Sequence, residues 1–189
     1  MKERILLAAI TELKSNGIRF TMDNVAKRIG ISKRTLYQYF PSKALIIEAI
    51  VDITLMQLEQ ETNEIIEHEQ LSIIDKIKGV ISLLPSHYQI YDLRILEDME
   101  RYYPEQWAKV DAELKDDWKA LERLFIKGIE KGEIVSDYPL PIIMKLLTDT
   151  TKGVLKDQSF CINNKIDVSE ALAHIGDMLL HGLIVKNKK

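Results

Sequence analysis

A short stretch near the N-terminus, ISKRTLYQYFPSK (Ile31 to Lys43), concentrates side chains that bind anions and the edges of nucleic-acid bases. It holds three cations, three hydroxyl side chains besides the tyrosines, and three aromatic rings. Cations and hydroxyls bind phosphate oxygens, arginine pairs with guanine, and a threonine methyl group contacts the methyl group of thymine. The stretch therefore has the composition of a DNA-binding surface.

The charge of the chain supports this interpretation, because it is unevenly distributed. The 189 residues carry a net charge of −3 at pH 7. Residues 1–50 alone hold nine Lys or Arg and four Asp or Glu, a balance of +5, and the rest of the chain has a balance of −8. A basic segment in an acidic chain indicates nucleic acid or an anionic membrane as its partner. Uneven solvation of helices is the alternative explanation.

The composition is that of a packed globular protein, with 46% hydrophobic and 29% charged residues. Cys161 is the single cysteine, so no internal disulfide is possible, which suits a reducing cytoplasm. The first ten residues contain an apolar run too short for a secretory signal, and no segment approaches the roughly 18 apolar residues that span a bilayer. We therefore expect a cytoplasmic protein with no membrane partner.

Apolar residues recur with helical spacing almost everywhere, so the expected fold is all-α, with about nine helices. Three short helices and a long fourth one are expected at the N-terminus. Thr21 and Ser32 are good N-caps for the second and third helices, and Gly30 suits the tight turn between them. The expected division is a helix-turn-helix domain over residues 1–46 and a second domain over residues 47–189.

The third helix divides its residues between two tasks. Leu36 and Phe40 are four residues apart, so both can pack inward. The helix-turn-helix motif places its last helix in the major groove, with the N-terminal residues of that helix at the base edges. The residues left to face DNA are Lys33, Arg34, Thr35, Gln38, Tyr39 and, at the start of the fourth helix, Lys43. A small helical bundle with a basic surface is the competing interpretation.

The segment FTMDNVAKRIGISKRTLYQYFPSKALIIEAI resembles the DNA-binding segment of the tetracycline-repressor (TetR) family of bacterial transcriptional regulators. The resemblance covers about the first fifty residues. The residues that match the family pattern are Thr21, Val25-Ala26, Gly30, Ser32, Thr35 to Tyr37, Tyr39-Phe40, Ser42-Lys43 and Leu45.

The resemblance implies a dimeric repressor that binds a palindromic DNA operator and is released by a small-molecule inducer. It adds Thr21 and Tyr37 to the residues expected to face DNA. The alternative function is a sequence-tolerant architectural DNA-binding protein without an inducer. No GxGxxG, Walker or GxSxG motif is present, so we do not expect an enzyme.

The rest of the chain is expected to form five more helices, with Pro85 ending the fifth helix of the chain. In the family, the last two helices, here roughly 139–156 and 167–186, pack against their copies in a four-helix bundle. Gly153, Gly176 and Gly182 would permit a close approach of helix backbones. The alternative is that these helices only close the core of one chain.

A ligand site is expected from the segments that line the cavity in this family. Aromatic and methionine side chains suit an apolar or amphipathic ligand. Ordinary core packing is the competing interpretation for every one of them. The candidates are His87, Tyr91, Met99, Tyr103, Trp107, Trp118, Met144 and Thr148.

No metal or cofactor is expected. His174 and His181 are seven residues apart with Asp177 between them, so they share a helix face, but no HExxH or paired CxxC motif supports a metal site. The sequence leaves open whether this pair or Cys161 has a role. It also leaves open the operator sequence, the ligand, the regulated genes, and whether binding represses or activates.

Overall fold

A computed structural model of the chain describes residues 1–88, 93–134, 138–157 and 159–181. These ranges contain ten α-helices and no β-strand, which confirms the all-α expectation. The helix not foreseen is the short α9, between the two helices predicted last. The helices are α1 Lys2–Asn16, α2 Met22–Arg28, α3 Lys33–Tyr39, α4 Lys43–Glu67, α5 Ile73–Tyr88, α6 Leu93–Tyr102, α7 Pro104–Glu130, α8 Leu140–Lys156, α9 Ser159–Asn164 and α10 Val168–His181.

The helices form two compact units. The first unit comprises residues 1–57 and 88–113, and the second comprises 58–87 and 114–189. The first unit therefore holds α1 to α3, the first four turns of α4, α6, and the start of α7. The two compact units divide α4 after residue 57, and the domain boundary expected at residue 46 stays a prediction.

The core of the first unit explains how its short helices remain folded. Helices α2 and α3 have seven residues each, and isolated helices of that length are unstable in water. Burying a large aliphatic side chain contributes about 1.5–3 kcal/mol, so packing must supply the missing stability. The buried apolar residues of α1 to α3 and their connections are Ile5, Ala8, Ala9, Leu13, Ile18, Phe20, Met22, Val25, Ala26, Leu36 and Phe40.

The buried face of α4 is not the one that helical spacing alone predicts. That spacing puts Leu45 and Met56 on the inward side, but their side chains are 42% and 61% exposed. Leu45 to Ile47 are three consecutive apolar residues, and periodicity does not decide which of them face inward. The apolar side chains that α4 buries are Ile46, Ile47, Ile50, Val51 and Leu58.

The core of the second unit joins α5, α7, α8 and α10. Its members are Ile73, Ile77, Val80, Ile81, Leu121, Leu124, Phe125, Ile134, Ile143, Leu147 and Leu180. Helical spacing of apolar residues along α7 predicts an inward stripe that ends at Ile129, but Ile129 is 40% exposed. Gly128 takes the inward position, because a Cβ atom there would lie 2.6 Å from Cδ1 of Ile134. Glycine therefore admits the side chain of Ile134 to the core.

Helix α5 does not end at Pro85, as the sequence suggested, but continues to Tyr88. Proline removes one backbone donor and crowds the carbonyl of the preceding turn. The residues after it still donate their own backbone hydrogen bonds, so one further turn can follow.

A buried carboxylate links α1 to α2, and the sequence gave no indication of it. Glu12 is only 5% exposed. Its Oε1 accepts a hydrogen bond from Nε of Arg28 at 2.6 Å, and its Oε2 accepts one from Nδ2 of Asn16 at 2.7 Å. A buried charge is tolerated only when it is paired and hydrogen-bonded, as it is here.

We predict that Glu12→Ala lowers the free energy of unfolding by about 1–3 kcal/mol, because it removes the buried carboxylate whose charge-assisted hydrogen bond with Arg28 joins α1 to α2. Urea unfolding followed by circular dichroism measures the change. Glu59→Ala removes an exposed glutamate from α4 and serves as the control, with an expected change within about 0.5 kcal/mol. Equal stabilities of the two variants would show that the buried pair contributes nothing.

Candidate nucleic-acid interface

The two helices of the helix-turn-helix are capped by their own side chains. Oγ1 of Thr21 accepts from the N–H of Asn24 at 3.2 Å, and Oδ1 of Asn24 accepts from the N–H of Thr21 at 3.0 Å. Oγ of Ser32 accepts from the N–H of Thr35 at 3.0 Å. Each cap contributes about 1 kcal/mol. The predicted N-caps of both helices are confirmed.

The turn between α2 and α3 requires a glycine. Gly30 has φ +69°, in the left-handed region that side chains with a Cβ atom rarely adopt. Its N–H donates to the carbonyl of Lys27 at 3.2 Å, and the N–H of Ile31 donates to the carbonyl of Ala26 at 3.0 Å. This pair of bonds is the Schellman motif that commonly ends a helix. It fixes the direction in which α3 leaves α2.

Helix α3 buries one face and exposes the other. Leu36 is fully buried and Phe40 nearly so, as their spacing predicted. Thr35 is half-buried, and its hydroxyl lies 2.9 Å from Oγ of Ser32, which leaves its methyl group for apolar contact. The exposed candidates are Thr21, Lys33, Arg34, Tyr37, Gln38 and Tyr39. The structure thus brings these candidates to the surface, and their contact with DNA stays a prediction.

A carboxylate of α2 pairs with one of the predicted DNA-binding residues. The Oδ1 atom of Asp23 lies 3.2 Å from Nζ of Lys33, and Oδ2 lies 3.0 Å from Nζ of Lys27. Hydrogen bonds from Lys27 and then Lys33 hold the pKa of the Asp23 carboxyl below its usual value. The sequence suggested only that Asp23 stabilises the start of α2. Within the described residues, Arg34 makes no ion pair.

Lys43 is held by protein groups. Its Nζ donates a hydrogen bond to the carbonyl of Ile18, and lies 4.5 Å from the ring centroid of Phe20 and 5.9 Å from that of Tyr103. Burial lowers the pKa of the Lys43 ammonium group. An ammonium group has three donors, so one can still reach a phosphate. The predicted phosphate contact of Lys43 is not tested by this arrangement.

The ligand candidates fall into two groups. In the first unit, Met99 is buried, whereas Tyr103 and Trp107 are half-buried, and burial raises the pKa of the Tyr103 phenol. In the second unit, Trp118 and Met144 pack against the core and Thr148 is half-buried. The side chain of His87 and all of Tyr91 lie outside the described residues.

Two other observations concern a metal site and a membrane-spanning helix, neither of which the sequence predicted. Within the described ranges, no group of three or more His, Cys, Asp or Glu side chains is arranged to hold a metal ion. Nε2 of His174 lies 3.7 Å from a carboxylate oxygen of Glu170, and Nδ1 of His181 lies 3.5 Å from one of Asp177. Among the described helices, none combines the length and apolarity needed to cross a membrane.

Comparison with known proteins identifies the family. Residues 5–50 match the family described as bacterial regulatory proteins, tetR family. The N-terminal segment is that of the TetR family. It is 27% identical over 183 residues to the uncharacterized HTH-type transcriptional regulator YvaF of Bacillus subtilis (strain 168), covering 97% of this chain and 95% of YvaF. The chain is thus similar to a helix-turn-helix transcriptional regulator over nearly its whole length.

Two further similarities extend the comparison. The chain superimposes on the transcriptional regulator FadR from Bacillus subtilis, solved in complex with stearoyl-CoA, with a TM-score of 0.70. The identity is 21%, and the alignment covers 97% of this chain and all of FadR, so the two share a fold. Over 85 residues the chain is 34% identical to the nucleoid occlusion factor SlmA of Vibrio cholerae, covering 44% of this chain and 43% of SlmA.

We predict that Asp23→Asn raises affinity for DNA of any sequence about two- to fivefold at low salt, because it removes a negative charge and frees Lys27 and Lys33. Fluorescence anisotropy with a labelled duplex measures the affinity. Asp116→Asn makes the same change of charge at an exposed pair with Lys119 on α7 and is the control. An equal gain in both variants would mean that net charge alone, not the ion pair on α2, sets the affinity.

Proposed function

We propose that this chain is a TetR-family regulator that represses transcription as a homodimer on a palindromic operator and is released by a small apolar or amphipathic ligand. The single observation that carries the proposal is the exposed face of α3. Its cations, amide and phenols lie opposite the buried Leu36 on a helix fixed by the Gly30 turn. A rigid helix with such a face suits insertion into the major groove.

Side-chain chemistry indicates which residues of this face would contact bases and which would contact phosphates. Lys33 and Arg34 begin α3, where helix-turn-helix proteins contact base edges, and arginine pairs with both acceptors of guanine. Tyr39 and Lys43 are suited to phosphate oxygens, which fix orientation without reading sequence. The hydroxyl of Thr21, at the start of α2, donates to Oδ1 of Asn24 and would turn to a phosphate oxygen of the DNA backbone on binding.

Dimerisation is supported by apolar side chains that the described chain leaves exposed on two adjacent helices. Helix α8 packs against α10. Ile142 and Leu146, one turn apart on α8, are 57% and 49% exposed, and Met178 on α10 is 69% exposed. Gly153 continues the exposed face of α8, and a Cβ atom there would meet no neighbour within 4 Å. A second copy would bury these groups in a symmetric contact.

The glycines predicted to admit a partner helix differ in their surroundings. A Cβ atom at Gly176 would lie 3.1 Å from Cγ2 of Ile81 in the same unit, so this glycine serves packing inside the chain. Gly153 faces open space and suits an intermolecular contact. Gly182 lies outside the described residues.

The proposed inducer would bind in the second unit, beside its core. Trp118 and Met144 pack on the core and are only partly buried, and Thr148 adds a hydroxyl one turn after Met144. This combination suits a ligand with a large apolar part and one polar group. A ligand that prefers the conformer unable to bind DNA by 100-fold shifts the equilibrium by about 2.7 kcal/mol per site.

The second candidate function is an architectural DNA-binding protein that needs no inducer. The observation in its favour is the similarity of the N-terminal part of the chain to a nucleoid occlusion factor. Such a protein would use the same cations for phosphates but would discriminate little between sequences.

Selection of bound duplexes from random-sequence DNA separates the two functions. The regulator should enrich a short palindrome with half-sites about one helical turn apart, and should bind it at least ~10³-fold more tightly than random DNA. A reporter gene placed behind that palindrome should then be repressed by the chain. Nearly equal affinities for all sequences would establish the architectural alternative.

We predict that Arg34→Ala reduces discrimination at particular base pairs of the selected palindrome by about 1–3 kcal/mol each, because a bidentate pair with guanine is lost. Competition binding with single-base variants of the palindrome measures this. Arg123→Ala removes an exposed arginine from α7 and should leave discrimination unchanged. A uniform loss across all duplexes would make Arg34 a phosphate contact only.

We predict that Met178→Glu converts the dimer to a monomer at micromolar concentration, because a charge would be buried in an apolar contact. Size-exclusion chromatography with light scattering should then give the 21.8 kDa mass of one chain. Met56→Glu alters a methionine of similar exposure on α4 and should remain dimeric. Should the Met178 variant keep the mass of two chains, α10 lies outside the interface.

A further inference from the structure

A cleft in the first unit lies beside the predicted DNA-binding residue Lys43. Its volume is about 450 Å³. That volume is within the range of about 300–1,000 Å³ that is usual for small-molecule sites. The cleft is lined by Ile18, Arg19, Lys43, Tyr102 and Tyr103.

The two cations of this cleft have no carboxylate partner within the described residues. Lys43 is half-buried, and the single protein acceptor described for its ammonium group is the carbonyl of Ile18. Arg19 is exposed and forms no ion pair with any described side chain. A half-buried cation such as Lys43 is usually neutralised by an acidic neighbour, whereas the exposed Arg19 is solvated. Burial lowers the pKa of Lys43, and an anion in the cleft would oppose that effect.

The remaining lining adds two aromatic rings with hydroxyl groups. Tyr103 is half-buried, and its ring centroid lies 5.9 Å from Nζ of Lys43. Tyr102 is half-exposed, with the guanidinium carbon of Arg101 5.4 Å from its ring centroid. Phenol rings pack against planar apolar groups, and their hydroxyls donate to anions. The cleft therefore combines positive charge, aromatic surface and hydrogen-bond donors.

We propose that this cleft is a binding site for a small aromatic carboxylate, distinct from the apolar ligand site proposed in the second unit. The carboxylate binds Lys43 and Arg19, and the aromatic ring packs against Tyr102 and Tyr103. A charge-assisted hydrogen bond between an ammonium or guanidinium group and a carboxylate is among the stronger polar interactions available to a protein.

Occupation of the site reduces affinity for DNA, a consequence that rests on the proposed role of Lys43 at a phosphate. A carboxylate that holds the ammonium group in the cleft competes with the phosphate for the same donors. By linkage, an anion that weakens DNA binding must itself bind less tightly to the DNA complex.

Isothermal titration calorimetry of the full chain without DNA tests the site itself. Benzoate should bind saturably, one per chain, with a dissociation constant on the order of 0.1–1 mM for a ligand of this size. Benzyl alcohol, which lacks the charge, and acetate, which lacks the ring, should each bind at least tenfold more weakly. The absence of saturable benzoate binding, or equal binding of acetate, overturns the proposal of an aromatic carboxylate site.

Two variants test whether benzoate binds in this cleft. Arg19→Gln should weaken benzoate at least tenfold without changing the thermal unfolding midpoint, because Arg19 is exposed and unpaired among the described side chains. Lys119→Gln removes an exposed cation of α7 in the second unit and should bind benzoate as the unmodified chain does. Equal affinities in both variants would place benzoate elsewhere and contradict the assignment.

The effect of benzoate on DNA affinity is measured in a separate experiment. Anisotropy of a labelled duplex is recorded with and without 10 mM benzoate, and sodium chloride holds the ionic strength constant because salt alone weakens DNA binding. DNA affinity should fall severalfold in the unmodified chain, and a clearly higher benzoate concentration should be needed for the same loss in Arg19→Gln, whose site binds benzoate more weakly. Benzoate that binds without altering DNA affinity refutes the link to Lys43 and leaves the site itself established by calorimetry.

Discussion

The burial of Leu36 and Phe40 is the interaction on which the DNA-facing surface depends. A seven-residue helix loses more conformational entropy on forming than its few backbone hydrogen bonds return, so α3 cannot persist as an independent element. The Ser32 cap satisfies a donor at its start, and the two buried side chains fix its rotation about its own axis. Once that rotation is fixed, the remaining side chains of α3 face outward, except that of Thr35, which is half-buried.

The charges of this surface are partly held by neighbouring groups. Asp23 pairs with Lys33, and the carbonyl of Ile18 accepts from Lys43. Such contacts favour defined positions for long side chains and lower the entropy that would be lost on binding. They also compete with DNA for the same donors. The resulting affinity is a difference between the two sets of interactions, which gives the protein a place at which binding can be regulated.

An ion pair inside the first unit joins α7 to α4. Nζ of Lys109 lies 2.8 Å from a carboxylate oxygen of Asp52 and 3.0 Å from one of Glu48. Hydrogen bonds with Asp52 and then Glu48 raise the pKa of the Lys109 ammonium group. Because that pKa is raised, the contribution to stability is complete below the usual lysine value and is lost as pH rises through the raised one. The contact therefore persists at neutral pH on the helix that begins with Lys43.

Local interactions in this chain were predictable from sequence, whereas contacts between distant residues were not. The caps at Thr21 and Ser32 and the turn at Gly30 depend on residues within one turn, so residue type and spacing sufficed. The inward positions of Leu36 and Phe40 followed from helical spacing in the same way.

Predictions failed where the answer depends on the rest of the fold. Leu45 lies in a run of apolar residues and Ile129 continues a helical apolar stripe, and in both cases only the packing partners decide whether the side chain is buried. The pair of Glu12 and Arg28 spans sixteen residues, and the contact of Lys43 with Ile18 spans twenty-five. No spacing rule connects such residues, because their approach is a result of folding.

The central claim is that α3 is the element that enters DNA, and site-specific photo-crosslinking tests it most directly. A photoreactive benzophenone amino acid at position 38, in place of Gln38, is compared with the same group in place of Lys119 on α7. The account predicts that illumination of the complex with DNA yields a covalent adduct to a base from position 38 and none from position 119. An adduct from position 119 with none from position 38 would show that another surface binds DNA and would contradict the account.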